Sequence, residues 1–355
     1  MKNLEDRLIK YRRFFHKHPQ LSDKEYHTQQ KIFNFFKDKD CQIRKIKTGL
    51  IVYFHNDKKT TIAYRCELDA LNIKEANDVS YKSVNNYMHA CGHDGHIAIL
   101  LLLGEYINKN IKLLKHNYML IFEHAEETYG GAKDIIQDEF YLSHVPKYVF
   151  ALHLYPGLNQ GEIYSKSGYF LSRPVEIDIR ISGKASHVAL KEEGIDSLNE
   201  GVLFINRLNK ILKRYKNVKY LFGEFKSGKQ RNVISDETII KGTIRVLNDR
   251  TIASIKKLIN KEALLFKNVD VTFKDDFCSL YNDPTLLIKI KKIYDVKDTS
   301  IKYISDSFAF YKNKSKICYA LLGVNSSPLH SNIFNFDESV LIRGYNYFLS
   351  LLNIE

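Results

Sequence analysis

The chain reads as an α/β protein that carries an inserted α+β region, and three observations predict this. Short β-rich runs at 50–54, 60–64, 118–122 and 148–152 alternate with helix-like stretches. From about 170 to 280 the pattern changes to half-exposed strands of alternating apolar and polar residues, with two long helices among them. After Asp283-Pro284 the first pattern resumes. With 355 residues the chain is long enough for two domains and a sizeable core.

In order, apolar positions Leu4, Leu8, Tyr11 and Phe15 repeat at helical spacing, and the helix resumes at 29–36 after the break at His18-Pro19-Gln20. His16 and His18 precede that proline. Either is a candidate ligand, although their distance from the other candidates favours a loop-anchoring role. The turn Asn56-Asp57 separates the first two strands. Ile97 to Leu103 is a plain apolar run and reads as the core-facing start of a helix, entered at Asp94 or the Gly-His turn. A helix is expected from Ala132. Within the insert, strands are expected at 173–181, 218–224, 238–247 and 269–277, with helices at 195–216 and 251–266. A helix at 284–294, a strand at 316–322 and a C-terminal helix through Leu352 complete the chain.

Composition narrows the function classes. Apolar content of 44% and charged content of 27% are those of a soluble globular enzyme. No run of about eighteen apolar residues predicts a membrane span. The opening Met1-Lys2-Asn3-Leu4-Glu5 lacks the apolar core of a signal peptide, so a cytoplasmic protein is expected. Five cysteines without framework spacing suit reduced thiols. The net charge of +13 raises nucleic-acid binding as a rival idea. The lysines are spread along the chain, however, and no nucleic-acid signature accompanies them, so the charge is read as compositional with some attraction for anionic substrates.

The densest chemistry is Met88-His89-Ala90-Cys91-Gly92-His93-Asp94-Gly95-His96. Three histidines, a cysteine and an aspartate crowd a loop at a helix start, the placement a metal site needs. Cys91 and His93, two apart, can face one ion. Further candidates stand at strand ends, where α/β sheets form active sites. The second strand runs into Arg65-Cys66-Glu67-Leu68-Asp69, and Glu67 and Asp69 point the same way if that strand continues. The strand at 118–122 runs into Glu123-His124-Ala125-Glu126-Glu127, and the next into His153-Leu154-Tyr155-Pro156. Adjacent carboxylates in a buried site divide their work: one binds a cation while the other moves a proton.

These residues together resemble a known family, the metal-dependent amidohydrolases of the zinc aminopeptidase-like superfamily. It includes hippurate hydrolase, N-acetyldiaminopimelate deacetylase and the hydrolases of auxin–amino-acid conjugates. The matching pieces are 65–71, 89–96, 125–127, 153–156, Asn232-Val233-Ile234, Gly242-Thr243-Ile244-Arg245, Asp306-Ser307-Phe308 and Leu329-His330-Ser331, in family order from end to end. The resemblance implies a three-layer α/β/α metal-binding catalytic domain at 1–169 and 282–355, and a ferredoxin-like lid and dimerisation domain at 170–281. It implies two divalent metal ions (Zn, Mn, Co or Ni) on Cys91, His93, Glu127, His153 and His330. It puts the general base at Glu126 and a supporting carboxylate at Asp69, with substrate contacts from the lid at His187 and Asn232.

The implied reaction is hydrolysis of the amide of a small-molecule N-acyl amino acid by a homodimer, with neither nucleic acid nor membrane as partner. The narrower expectation is N-acetyl-L,L-diaminopimelate deacetylation in lysine biosynthesis. The alternatives are a broad N-acyl-amino-acid or hippurate hydrolase, a metallocarboxypeptidase, and, remotely, a non-catalytic nucleic-acid-binding protein. Three departures from the family stand out. Glu67 replaces the usual aspartate, Glu123-His124-Ala125 stands where the family has a proline before the paired glutamates, and Lys191-Glu192-Glu193 replaces a proline-histidine pair after His187. None removes an implied ligand or the base.

Overall fold

The computed structural model describes residues 2–274 and 277–355. The chain forms two compact units. One comprises the chain up to Phe170 together with Tyr281–Ser300 and Asp306–Glu355; the other comprises Leu171–Leu280 and Ile301–Ser305. The short return of 301–305 into the second unit is a feature that a single uninterrupted insert does not anticipate.

The first unit is built on an eight-stranded sheet. Its order is Gln42–Ile46, Gly49–Phe54, Asn117–Glu123, Thr61–Glu67, Tyr148–Pro156, Lys316–Val324, Ile163–Ser165 and Val296–Asp298. The four neighbours from Asn117–Glu123 to Lys316–Val324 are mutually parallel, so their C-terminal ends share one edge. Every residue of Thr61–Glu67 and of Asn117–Glu123 is buried, which explains their nearly unbroken apolar sequences. The edge strand Gln42–Ile46 escapes the sequence reading because it is mostly polar and exposed, as edges that resist further pairing often are.

Helix His93–Asn110 runs behind this sheet with Ile97 to Leu103 all buried. It packs against Lys2–Lys17 and Leu341–Ser350. Gly104 lets it approach closely: a Cβ there would come within 2.6 Å of Leu120 and 2.7 Å of Phe36. The helix expected from Ala132 forms as two short pieces, Ala132–Ile135 and Glu139–Ser143, because Asp138 caps a new turn by accepting from the Phe140 amide. No helix among the described residues is long and apolar enough to cross a membrane.

The second unit is a four-stranded antiparallel sheet ordered Val269–Lys274, Arg173–Ser182, Glu237–Val246, Lys219–Ser227. Helices Ser197–Leu212 and Asp249–Ala263 pack on it through Phe204, Leu208, Ile252, Ile255 and Ile259. The sequence of elements, βαββαβ, is the ferredoxin-like arrangement. The strand expected at 269–277 is described only to Lys274; Asp275 and Asp276 lie outside the described residues.

A buried ionic cluster ties the N-terminal helix to the start of His93–Asn110. The Arg12 side chain is fully buried, with Nε 2.9 Å from Asp94 Oδ2 and its guanidinium between the rings of Tyr81 and Phe336. His16 stands between Asp94 (2.8 Å) and Glu75 (3.1 Å). His16 is thus the anchor of a loop, as its isolation in the sequence favours. Removing one member of such a cluster leaves a buried charge unpaired. Arg12→Leu should therefore lower the unfolding free energy by about 3–5 kcal/mol, measured by urea denaturation. A loss under about 1 kcal/mol would show that water reaches Asp94.

Candidate metal centre

The loop before helix His93–Asn110 turns at Gly92, whose φ is +85°, a conformation that costs glycine little. This turn places Cys91 and His93 side by side, both buried. The Nδ1–H of His93 donates to the Asp69 main-chain carbonyl at 2.8 Å, and Asp69 Oδ1 lies 3.4 Å away. The proton is therefore fixed on Nδ1, and the lone pair of Nε2 faces inward. His93 Nε2 has no hydrogen-bond partner among the described residues. Such a carboxylate–imidazole pairing is the usual outer support of a metal-ligating histidine.

The strand Thr61–Glu67 ends before Asp69, so Glu67 and Asp69 do not share a face as a continuing strand would require. Asp69 Oδ2 accepts from the Glu127 amide (2.9 Å) and from Ser22 Oγ (2.7 Å). Glu67 instead accepts from Arg65 and pairs with His96 Nδ1 at 2.8 Å. Beyond Glu123 the chain turns through Ala125, at φ +51°, and presents Glu126 and Glu127. Glu126 Oε1 accepts from the Ser307 amide at 3.2 Å. Burial, then the nearby Asp306 and Glu127 charges, push its carboxyl well above the usual range. Glu127 Oε1 has no hydrogen-bond partner among the described residues and lies 3.9 Å from His93 Nε2 and 3.5 Å from His330 Nε2.

His153 lies within the strand Tyr148–Pro156 rather than after it. Its Nδ1–H donates to the Leu154 carbonyl (2.7 Å), and its Nε2 lies 3.4 Å from Cys91 Sγ. His330 reaches the same place from a left-handed turn, φ +64°, pinned by its amide on the Ala90 carbonyl at 2.8 Å. The donor atoms form overlapping groups, Cys91–His93–His153 and Cys91–Glu127–His330, each with atoms within 4.8 Å of one another. Ligands about 2.0–2.3 Å from one cation stand at such separations.

Desolvation drives these groups toward neutral forms. Burial raises the Cys91 thiol well above its ordinary range, lifts Glu127 to about 7 and holds His153 well below the usual imidazole range. Positive charge among them would favour thiolate and carboxylate instead. Unpartnered inward-facing atoms on His93 and Glu127, with a thiol and a carboxyl whose ionised forms a cation would favour, fit a metal centre.

Glu67, His96 and His153 also lie close together. His96, however, accepts from the Leu154 amide at Nε2 (2.9 Å) and meets Glu67 at Nδ1, so both its ring nitrogens are already engaged. It belongs to the support of the strand, not to a ligand set. His89 is buried two residues before Cys91, neither of its ring nitrogens has a partner among the described residues, and burial lowers its pKa to about 3.

In the second unit, His187 and Asn232 come together across an isolated bridge between His187 and Val233. His187 Nδ1 lies 3.2 Å from the Ala189 amide nitrogen, and its Nε2 lies 3.4 Å from the Asn232 side-chain nitrogen. Both residues are exposed. Sequence reasoning did not single out Ser22, Glu25 or a role for Ser307. Each acts through a contact far along the chain, and no local pattern marks it.

A family model described as peptidase family M20/M25/M40 matches residues 63–354. Curated relatives include an uncharacterized hydrolase of Staphylococcus saprophyticus, 32% identical with 97% of this chain and 96% of the relative covered. Another, from Staphylococcus aureus, is 33% identical with 98% and 97% covered. Among solved structures, one from methicillin-resistant Staphylococcus aureus superposes with a TM-score of 0.93 at 27% identity, covering 99% of this chain and 96% of that one. A Bacillus subtilis protein described as a dinuclear metal-binding peptidase of the M20 family has a TM-score of 0.85 at 26% identity, covering 99% and 98%. With the donor cluster at the sheet edge, these likenesses lead to one conclusion: the chain belongs to peptidase family M20/M25/M40 and is a metal-dependent hydrolase.

Proposed function

We propose that this hydrolase cleaves the amide of an N-acyl amino acid, and more narrowly that it releases acetate from N-acetyl-L,L-diaminopimelate. The observation that carries the reading is the convergence of Cys91, His93, Glu127, His153 and His330 beside Glu126. These five residues would hold two divalent ions, with Zn, Mn, Co and Ni all compatible with a thiolate among nitrogen and oxygen donors. Bound there, the ions would polarise the amide carbonyl and lower the pKa of a water toward about 7.

The remaining work falls to the chain's own groups. Glu126 removes a proton from the attacking water and returns it to the leaving amine. Its raised pKa suits a group that must hold a proton between those two events. The Ser307 amide keeps its carboxylate from turning away. Asp69 holds His93 in the tautomer that faces inward and anchors the Glu127 backbone. His187 and Asn232 would contact substrate from the second unit, as the family resemblance implies.

The choice of the diaminopimelate derivative rests on the resemblance of the Asp69 and Glu126 segments. A broader N-acyl-amino-acid or hippurate hydrolase, or a metallocarboxypeptidase, uses the same residues. The peptidase description of the Bacillus subtilis neighbour favours the last of these. We also propose a cytoplasmic homodimer joined through the second unit. Among the described residues its edge strand Lys219–Ser227 has no strand partner on one side, and exposed Phe225 stands beside a helix that exposes Leu198 and Val202.

Glu126→Gln should lower kcat by about a hundredfold or more while bound metal, read by elemental analysis, stays unchanged. Full activity in that variant would remove the mechanism. Chelation should abolish turnover and added Zn²⁺ or Mn²⁺ restore it. His153→Ala should lose bound metal, whereas His96→Gln should keep it. A panel of acetyl, benzoyl and dipeptide substrates settles the specificity: acetate release from the N-acetylated diamino acid should exceed the others by at least about tenfold. Comparable rates on all would replace the narrow reading with the broad one. Val202→Asp with Phe225→Asp should convert a dimer to a monomer in sedimentation.

A further inference from the structure

Glu25 opens the helix Tyr26–Phe36 from the N-cap position, where a carboxylate ordinarily accepts from its own helix's free amides. It makes no such bond. Gln20 takes that task, with its side-chain oxygen 2.9 Å from the Thr28 amide. The Glu25 side chain is fully buried and committed elsewhere. Its Oε1 accepts from the Ala125 amide at 2.8 Å, one hundred residues along the chain, and its Oε2 accepts from Thr48 Oγ1 at 2.6 Å.

Ala125 is the residue whose conformation aims the glutamate pair. Its φ of +51° lies in the left-handed region, where the Cβ of an alanine crowds the backbone. Its carbonyl closes the same loop by accepting from the Gly130 amide at 3.0 Å. Ala125 is fully buried, so water is not at hand to replace the Glu25 oxygen. Without that acceptor the amide would be an orphaned buried donor on an already strained residue. Relaxation of φ at this point would swing Glu126 and Glu127 together.

We propose that Glu25 is a positioning residue for the glutamate pair: it holds the left-handed Ala125 peptide so that Glu126 and Glu127 are presented to the metal centre. The role lies outside the span 63–354 matched by the family model, and it rests on the functional reading of that pair. What Ala125 needs is an oxygen acceptor at the right reach, not a negative charge. Burial already raises the Glu25 carboxyl to about 7, so a neutral group of the same length suits the pocket.

Two variants separate reach from charge. Glu25→Gln keeps the reach and loses the charge; Glu25→Asp keeps the charge and withdraws the oxygen by about one bond length. Hydrogen–deuterium exchange of the metal-free protein should show residues 124–131 exchanging about tenfold faster in E25D and close to wild type in E25Q. Zn²⁺ affinity, measured by competition with a chelator, should fall about tenfold in E25D and stay within threefold in E25Q. Ala125→Gly in the E25D background should recover at least about threefold of that affinity, because glycine adopts the same φ without strain. With an N-acyl amino acid, kcat should follow the same order while KM stays constant.

Equal losses in E25D and E25Q would overturn the proposal, as would wild-type exchange in E25D or faster exchange with unchanged Zn²⁺ affinity. If E25D does not fold, a tenfold affinity loss in E25Q still overturns it, and retention supports it. If the wild-type protein hydrolyses no N-acyl amino acid, the functional reading fails while the exchange and Zn²⁺ measurements still decide the role of Glu25.

Discussion

Burying charge is the constraint on which the first unit depends. A carboxylate or guanidinium taken out of water is tolerated only when partners replace the lost hydration. Here the four parallel strands end along one edge, and just inside it Arg65 is fully buried among Glu67, Glu123 and Asp306. Its Nη2 also reaches Ser307 Oγ at 2.8 Å, and Glu123 accepts from Tyr311 at 3.0 Å. One cation thus anchors three carboxylates, and Ser307, held in this cluster, offers its amide to Glu126. The ionic network under the edge and the donor cluster above it are one continuous structure.

Two of the non-glycine residues of positive φ, Ala125 and His330, fall at the same place, and Gly92 turns there without strain; each lies within a residue or two of a candidate ligand or is one itself. Left-handed residues persist where surrounding contacts over-determine them. Those contacts are specific: the Ala90 carbonyl for His330, and Glu25 with Gly130 for Ala125. The N-terminal segment, which looks peripheral in sequence, supplies Ser22 to Asp69 and Arg12 and His16 to Asp94. The centre is therefore held from behind by residues that touch none of its donor atoms.

The departures from the family pattern acquire physical meaning in this setting. The longer arm of Glu67 is accommodated between Arg65 and His96, within the ionic cluster and close to His153. In the stretch Glu123-His124-Ala125, Ala125 takes up a left-handed turn and His124 Nε2 pairs with Asp134 Oδ2 at 3.1 Å. Lys191-Glu192-Glu193 falls in the exposed turn Val188–Glu193, whose backbone kinks at Leu190. That turn belongs to the second unit.

Much of this protein was legible in its sequence, because local signals carry local structure. Apolar runs marked the buried strands, alternation marked the half-exposed ones, and His89 to His96 announced ligand chemistry by density alone. Candidate ligands stood out wherever a strand ended, since polar groups at that edge need a reason to be there. Tertiary structure alone decided which of the histidines keeps a free inward-facing nitrogen. His93 does because a backbone carbonyl takes the other ring nitrogen, and for the same reason His153 turns its Nε2 to Cys91, whereas His96 is satisfied on both sides and His16 is locked between two carboxylates. Tertiary structure also decided that Glu25 serves Ala125 rather than its own helix. A side chain's partners are set by what folding brings within about 3 Å, and no spacing along the chain encodes a contact made across a hundred residues.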